Sequence, residues 1–303
     1  MRLVSYENEG RLEPGILIEE MVVPAAAAAE RAEIESPRST RGLLEAGPVV
    51  LGVIDDAARR YAEELGRPLG ETELGPPLPD PDKIICVGLN YRDHAAESGL
   101  DLPAAPMLFP KFRPSLVGPN APVEAIALSD QIDYEAELAI VIGRAGRNIT
   151  AADALDHVAG AMAFNDLTAR DLQHQTSQWT AGKAIDGFAP CGPALVLLDE
   201  IDDLSALSIR ARVNGELVQD GNTGEMIFTV PELIEFISSL MTLVPGDIIA
   251  TGTPAGVGVS RDPQLFLEPG DMVEVEVEGI GALRTVLTAP RAAARADTAG
   301  VGR

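Results

Sequence analysis

The sequence predicts a β-dominated α+β protein, and three observations carry that prediction. From residue 83 onward, short apolar or alternating runs outnumber helical stretches. Turn signals such as Asn214-Gly215 separate those runs, and strands do not alternate regularly with helices as βαβ units would. At 303 residues, the chain is long enough for one large domain or two ordinary ones. Its 46% hydrophobic and 23% charged residues match a globular protein rather than a disordered or fibrous one.

In chain order, residues 1–6 and 15–20 read as short strands joined by a polar turn, and residues 40–65 mostly as helix, ended by Gly66 and Pro68. Pro76, Pro77, Pro79 and Pro81 then fall close together, a cluster that can continue neither a helix nor a central strand. The expected layout is a small N-terminal α+β domain over 1–75, a Pro-rich linker over 76–82 and a larger domain over 83–290. Within the last, residues 84–88 form a compact apolar strand and 132–142 alternate. Thr150 caps a helix through His157, and 160–168 is a strand. Asn214-Gly215 marks a hairpin. Thr229 with Glu232 forms a capping box that opens a helix through Met241. Residues 248–250 and 272–278 are further strands, and Gly279-Ile280-Gly281 turns the last hairpin. Residues 291–303, rich in Ala, Arg and Gly, read as a loose tail.

The formal net charge of −24 argues against nucleic acid and anionic membranes, both of which are bound by clustered Lys and Arg. No apolar run reaches the ~20 residues that span a bilayer. The Ala-rich stretch 21–29 is broken by Pro24, follows Glu19 and Glu20, and has no basic flank of the kind a secretory leader shows. Cys86 and Cys191 are too few and too isolated for a disulfide framework or a zinc site. A reduced, cytoplasmic protein is the expectation.

Several common catalytic motifs are missing: G-x-S-x-G, the phosphate loop and G-x-G-x-x-G. The glycine-rich run 252–258 is either a surface turn or, through backbone N–H groups and the Thr253 hydroxyl, a cradle for a carboxylate or oxyanion. Period two puts Asp133, Glu135 and Glu137 on one strand face. That face continues as Ala139, Val141 and Gly143, so the carboxylates border something buried; a cation is the usual remedy, a solvated strand face the plain alternative. Glu274, Glu276 and Glu278 repeat the spacing against Val273, Val275 and Val277, and there the solvated reading stands. Among three histidines, His94 has Glu97 three residues on, placed to orient an imidazole base; His157 and His174 have no such partner. Arg outnumbers Lys 20 to three, so Lys183, in a glycine-flanked loop, stands out as a retained ammonium.

Together these segments resemble the fumarylacetoacetate hydrolase family. The resemblance rests on residues 85–91 leading to His94 and Glu97, and on Asp133-Tyr134-Glu135-Ala136-Glu137-Leu138. It rests equally on 165–173 (Asn165-Asp166 through Arg170 to Gln173), Gly182-Lys183 and the 251–258 loop. It runs in order over about two thirds of the chain, and residues 1–75 resemble the small extra domain of two-domain bacterial members. The resemblance implies a mixed β-roll catalytic domain, a homodimer, and a divalent cation on Glu135, Glu137 and Asp166. Mg²⁺ is expected there, with Mn²⁺ or Ca²⁺ also suited to hard oxygen donors. It implies substrate contacts from Gln173, Arg170, Gly252 and Thr253, and catalysis by His94, Glu97 and Lys183. The implied reaction is C–C hydrolysis of an acylpyruvate or related 2,4-dioxo acid, with His94 activating water. The alternative is a tautomerase, isomerase or decarboxylase acting on oxaloacetate or a 2-hydroxymuconate-type acid. The expected partner is a small 2-oxo acid.

Overall fold

A computed structural model describes residues 1–290; the loose tail expected over 291–303 lies outside the described residues. Short strands dominate, as the alternation predicts, and they form a 12-stranded mixed sheet, a five-stranded sheet and a two-stranded ribbon. Along the large sheet the order runs Arg11–Ile18, Arg2–Asn8, Ala189–Leu197, Val158–Asn165, Ala136–Ile142, Ile248–Ala250, Ile84–Gly88, Met107–Lys111. Arg2–Asn8 pairs with Ala189–Leu197, so the sheet passes through both regions flanking the proline cluster. Leu78, inside that cluster, is buried among the same apolar side chains.

Two apolar clusters lie on opposite faces of the large sheet. Along Ala136–Ile142, Leu138, Ile140 and Ile142 face one cluster with Val273, Val275 and Val277 of the five-stranded sheet. Ala139 and Val141 face the other, with Leu43, Ile54 and Ala58 of the helix Thr40–Arg60. The alternation expected for this strand is therefore real, but both faces are buried. Among the described residues no helix is long and apolar enough to cross a membrane.

Local signals match their elements closely. Asn214 and Gly215 both take positive φ, 52° and 87°, as a two-residue hairpin of the primed type requires. Thr229 and Glu232 form the reciprocal capping box ahead of Val230–Leu240. The helix over 40–65 is kinked at Gly47-Pro48 and restarts as Ala62–Leu65. Ala25–Arg31, unassigned from the sequence, is helical, consistent with the high helix propensity of alanine. Ile132–Asp133 and Ala136–Ile142 are two strands and not the single one expected, because Ile132–Asp133 leaves the large sheet to pair with Thr168–Ala169.

Candidate active site

Four strand ends of the large sheet converge on one place. Ala136–Ile142 begins there, and its antiparallel partner Val158–Asn165 ends there, Ala136 opposite Asn165. Ile248–Ala250 and its parallel neighbour Ile84–Gly88 also end there. Glu135 and Glu137 therefore flank the first residue of one strand while Asp166 follows the last residue of the next. The Asp166 N–H donates to the Glu135 carbonyl at 2.9 Å. Residues some 30 positions apart in sequence thus present three buried carboxylates whose oxygens lie within 4.8 Å of one another.

Two short helices supply the cations. Arg170–Gln173 follows the two-stranded ribbon, and Thr180–Lys183 packs on it backbone to backbone. A Cβ on Gly182 would sit 2.5 Å from the Gln173 nitrogen, so only glycine permits this approach. Lys183 Nζ bridges Glu135 at 2.7 Å and Asp166 at 2.8 Å. Arg170 reaches Glu135 and Asp133, each at 2.8 Å, and donates to Gln173 Oε1 at 3.1 Å. Lys111, on Met107–Lys111, meets Asp166 Oδ1 at 2.8 Å and also donates to the carbonyls of Leu167, Phe188 and Lys183.

The buried cluster holds four carboxylates (Asp133, Glu135, Glu137, Asp166) against three cations (Lys111, Arg170, Lys183). Burial raises the Glu135 pKa, but Lys183 and Arg170 outweigh it and hold the carboxyl at about 2. For Lys183, burial disfavours the charge, yet Asp166 and Glu135 raise its pKa overall. Glu137 differs. Its protein partner is the Gly252 N–H at 3.0 Å, and among the described residues no ammonium or guanidinium pairs with it. Burial, then repulsion from Asp166 and Glu135, pushes its pKa well above the usual carboxylate range. A buried carboxylate without a counter-ion is costly, and a hard divalent cation among these three acids supplies the missing charge. The donor set thus fits a metal: Glu135, Glu137 and Asp166 could hold one.

The glycine-rich run 252–258 lies across this end of the sheet. Gly252 sits at φ +98°, where a Cβ would also press against Asn90 at 2.8 Å. The backbone N–H groups of this run, for which a ligand cradle is one of two readings from the sequence, engage the protein's own carboxylates. Gly252 binds Glu137, Gly256 binds Glu97 at 3.0 and 3.2 Å, and Gly258 binds Asp133 at 2.7 Å. Asp133 is thereby tied to the loop and to Arg170, which makes it an organiser of Arg170 and not a member of the acidic triad. The Thr253 side chain remains on the cavity wall.

His94 and Glu97 lie on the helix Arg92–Glu97, with His94 Nδ1 3.4 Å from Glu97 Oε2. Burial alone would raise the Glu97 pKa; the hydrogen bonds from His94 and Gly256 overcome it and keep the carboxyl ionised. The helix is anchored by Asn90, whose side chain donates to the Thr251 and Phe228 carbonyls and accepts from the Phe228 N–H. His157 is buried and bonded to Arg144, a structural place; His174 is exposed at the cavity rim.

A cavity of about 330 Å³ brings together His94, Glu135, Glu137, Arg170, Gln173, Lys183 and Thr253. Its apolar wall includes Phe109 and Trp179, packed edge to face at 5.5 Å. Glu97 and Asp166 stand immediately behind it. The sequence alone does not single out Lys111 or Gln219 as site residues, and it groups Asp133 with Glu135 and Glu137, from which the structure separates it. Lys111 carries one signal there, as one of only three lysines.

The family model described as "Fumarylacetoacetate (FAA) hydrolase C-terminal" matches residues 83–288. The chain is 41% identical over 285 residues to the mitochondrial oxaloacetate tautomerase of Xenopus laevis, covering 93% of this chain and 89% of that one. It is 46% identical over 233 residues to the oxaloacetate tautomerase YisK of Bacillus subtilis, covering 75% and 77%. Among solved structures, the fumarylacetoacetate hydrolase of Exiguobacterium antarcticum superposes with a TM-score of 0.80 at 36% identity, covering 95% and 99%.

Proposed function

The chain belongs to the fumarylacetoacetate hydrolase family, and on that premise we propose that it interconverts the keto and enol forms of a small 2-oxo acid, oxaloacetate being the first candidate. The carrying observation is one cavity that holds both a buried all-oxygen acidic triad and a histidine steadied by a clamped carboxylate. The similarity to oxaloacetate tautomerases over most of the chain supports this reaction over others on the same site.

Glu135, Glu137 and Asp166 would hold Mg²⁺ or Mn²⁺, which supplies Lewis-acid polarisation of a chelating 2-oxo acid. The protein's own groups do the rest. Lys183 has three N–H donors, two of them on Glu135 and Asp166. Among the described residues the third has no hydrogen-bond acceptor, Nζ standing 5.0 Å from the Phe109 ring on the cavity wall, and can turn to the oxo oxygen. Gln173 accepts from Arg170 through Oε1, which turns its NH₂ toward a substrate oxygen. In the enol direction His94 takes the proton from the carbon beside the oxo group while that oxygen gains a proton from the Lys183 side or from solvent. Ketonisation runs both transfers backward, and Glu97 stabilises the imidazolium formed in between. No water nucleophile is needed.

A second reading, C–C hydrolysis of an acylpyruvate, keeps every role except that of His94, which would then deprotonate water. The His94–Glu97 pair and the likeness to a fumarylacetoacetate hydrolase favour it. The test follows the ultraviolet absorbance of enol oxaloacetate with Mg²⁺-loaded protein, alongside cleavage of acetylpyruvate. Fast ketonisation with no cleavage is expected. Cleavage without accelerated ketonisation overturns the tautomerase in favour of the hydrolase.

A further inference from the structure

Gln219 lies on Glu216–Asn222, an edge strand of the five-stranded sheet, yet it is only 1% exposed. Its neighbour Val218 is buried as well, which simple alternation forbids. The cause is a register shift: Gln219 stands opposite Ala211 but Leu217 opposite Arg212, so Val218 is the extra residue of a bulge that turns Gln219 inward. Its amide then meets three groups. Oε1 accepts from the Ala136 N–H at 2.9 Å, between the acids Glu135 and Glu137. Nε2 donates to the Pro254 carbonyl and to Thr253 Oγ1, each at 2.8 Å.

This amide cannot be flipped. A main-chain donor faces its oxygen and a main-chain acceptor faces its nitrogen, so the orientation follows from chemistry. Thr253 Oγ1 is consequently an acceptor toward Gln219, and its own proton must go elsewhere. Thr251 shows the contrast: its hydroxyl donates to the Leu138 carbonyl at 2.8 Å. Among the described residues, the Thr253 proton meets no acceptor, while its side chain lines the cavity beside Glu137 and Lys183.

We propose that Gln219 is a positioning residue: it holds the hydroxyl of Thr253, already a substrate contact by the family resemblance, as a hydrogen-bond donor into the cavity. The proposal rests on the 2-oxo acid reading above. It concerns no step of the chemistry, only the polarity of one subsite.

The test is titration calorimetry of pyruvate into Mn²⁺-loaded protein. Thr253→Val should weaken pyruvate by about 10–100-fold, the range for losing one hydrogen bond to a charged group. Gln219→Met should weaken it comparably, because the freed hydroxyl can now turn to the Pro254 carbonyl. The double variant should bind no more weakly than Thr253→Val alone, and Mn²⁺ affinity should stay within about twofold throughout. Wild-type pyruvate affinity in Gln219→Met, additive losses in the double variant, or a fall in Mn²⁺ affinity each overturn the assignment; the last means Gln219 serves the acidic strand instead. If Gln219→Met does not fold, Gln219→Glu keeps the Ala136 contact and reverses the donor at Thr253. It should lose pyruvate affinity at pH 8, and wild-type affinity there overturns the proposal. Wild-type protein that takes up Mn²⁺ but no pyruvate overturns the 2-oxo acid reading itself, a result separate from any variant's behaviour.

Discussion

Two stretches of this chain carry the same acidic spacing and meet opposite fates. Glu135 and Glu137 flank the start of a strand buried on both faces, whereas Glu274 and Glu276 line a strand whose polar face meets solvent, with Glu278 just past its end. On the outer stripe, Glu274 pairs with Arg284 at 2.6 Å, and Glu278 accepts from the Ser208 N–H at 3.0 Å. On the inner one, water is replaced by Lys183, Arg170 and the backbone donors of the glycine run. Carboxylate spacing therefore says nothing about chemistry until the covering elements are known. What makes the inner stripe a candidate site is the charge left over after the protein's own cations are counted.

That contrast yields measurements, beginning with the largest effect. Glu137→Gln should abolish detectable turnover and sharply weaken Mn²⁺ binding, with the melting temperature little changed, because its protein contact is one backbone N–H. Glu276→Gln, on the exposed stripe, should change none of these. Equal losses from both substitutions would erase the distinction. Removing metal with EDTA should reproduce the Glu137→Gln defect in wild-type protein, reversibly on adding Mg²⁺.

Next, His94→Ala should lower turnover by about 10²–10⁴-fold with KM little moved, the cost of losing a general base. Glu97→Gln should act in the same direction more weakly. Steady-state kinetics on the favoured substrate checks both, and near-wild-type rates in His94→Ala would place the base elsewhere.

Lys111→Met tests whether the inner charges are structurally coupled. It leaves Asp166 facing one ammonium fewer and three carbonyls without their donor, so a loss of about 3–5 kcal/mol in stability is expected, as for other broken buried pairs. Chemical denaturation measures it. A neutral outcome would mean that the inner acids tolerate exposure as the outer ones do.

The smallest effect belongs to the outer stripe. The Ser208 N–H holds the Glu278 carboxyl below the ordinary carboxylate range. A folded-state pKa below the unfolded one contributes stability at neutral pH that is lost as pH falls through the folded value. Glu278→Gln should thus flatten the acid limb of the stability–pH curve slightly while leaving metal binding intact.

Much of the molecule is legible in the sequence, because it depends on neighbours along the chain. Alternation sets the two faces of Ala136–Ile142, Asn214-Gly215 sets its hairpin, and Thr229 with Glu232 sets a helix start. The ordered motifs mark His94, Glu97, Glu135, Glu137, Asp166 and Lys183 by their order along the chain alone. What lies beyond reach depends on long-range contact. Ala189–Leu197 is a central strand although Pro190 and Pro193 lack N–H groups, and the register irregularity against Val158–Asn165 that accommodates them has no local signature. Lys111 lies far along the chain from Asp166, and Gln219 far from Ala136 and Thr253, and a one-residue bulge decides whether Gln219 faces water or the site. Spacing determined which side chains share a face. Only the packing of one sheet on another determined what that face would meet, because desolvation and charge pairing are properties of the elements that close over a residue and not of the residue's neighbours in sequence.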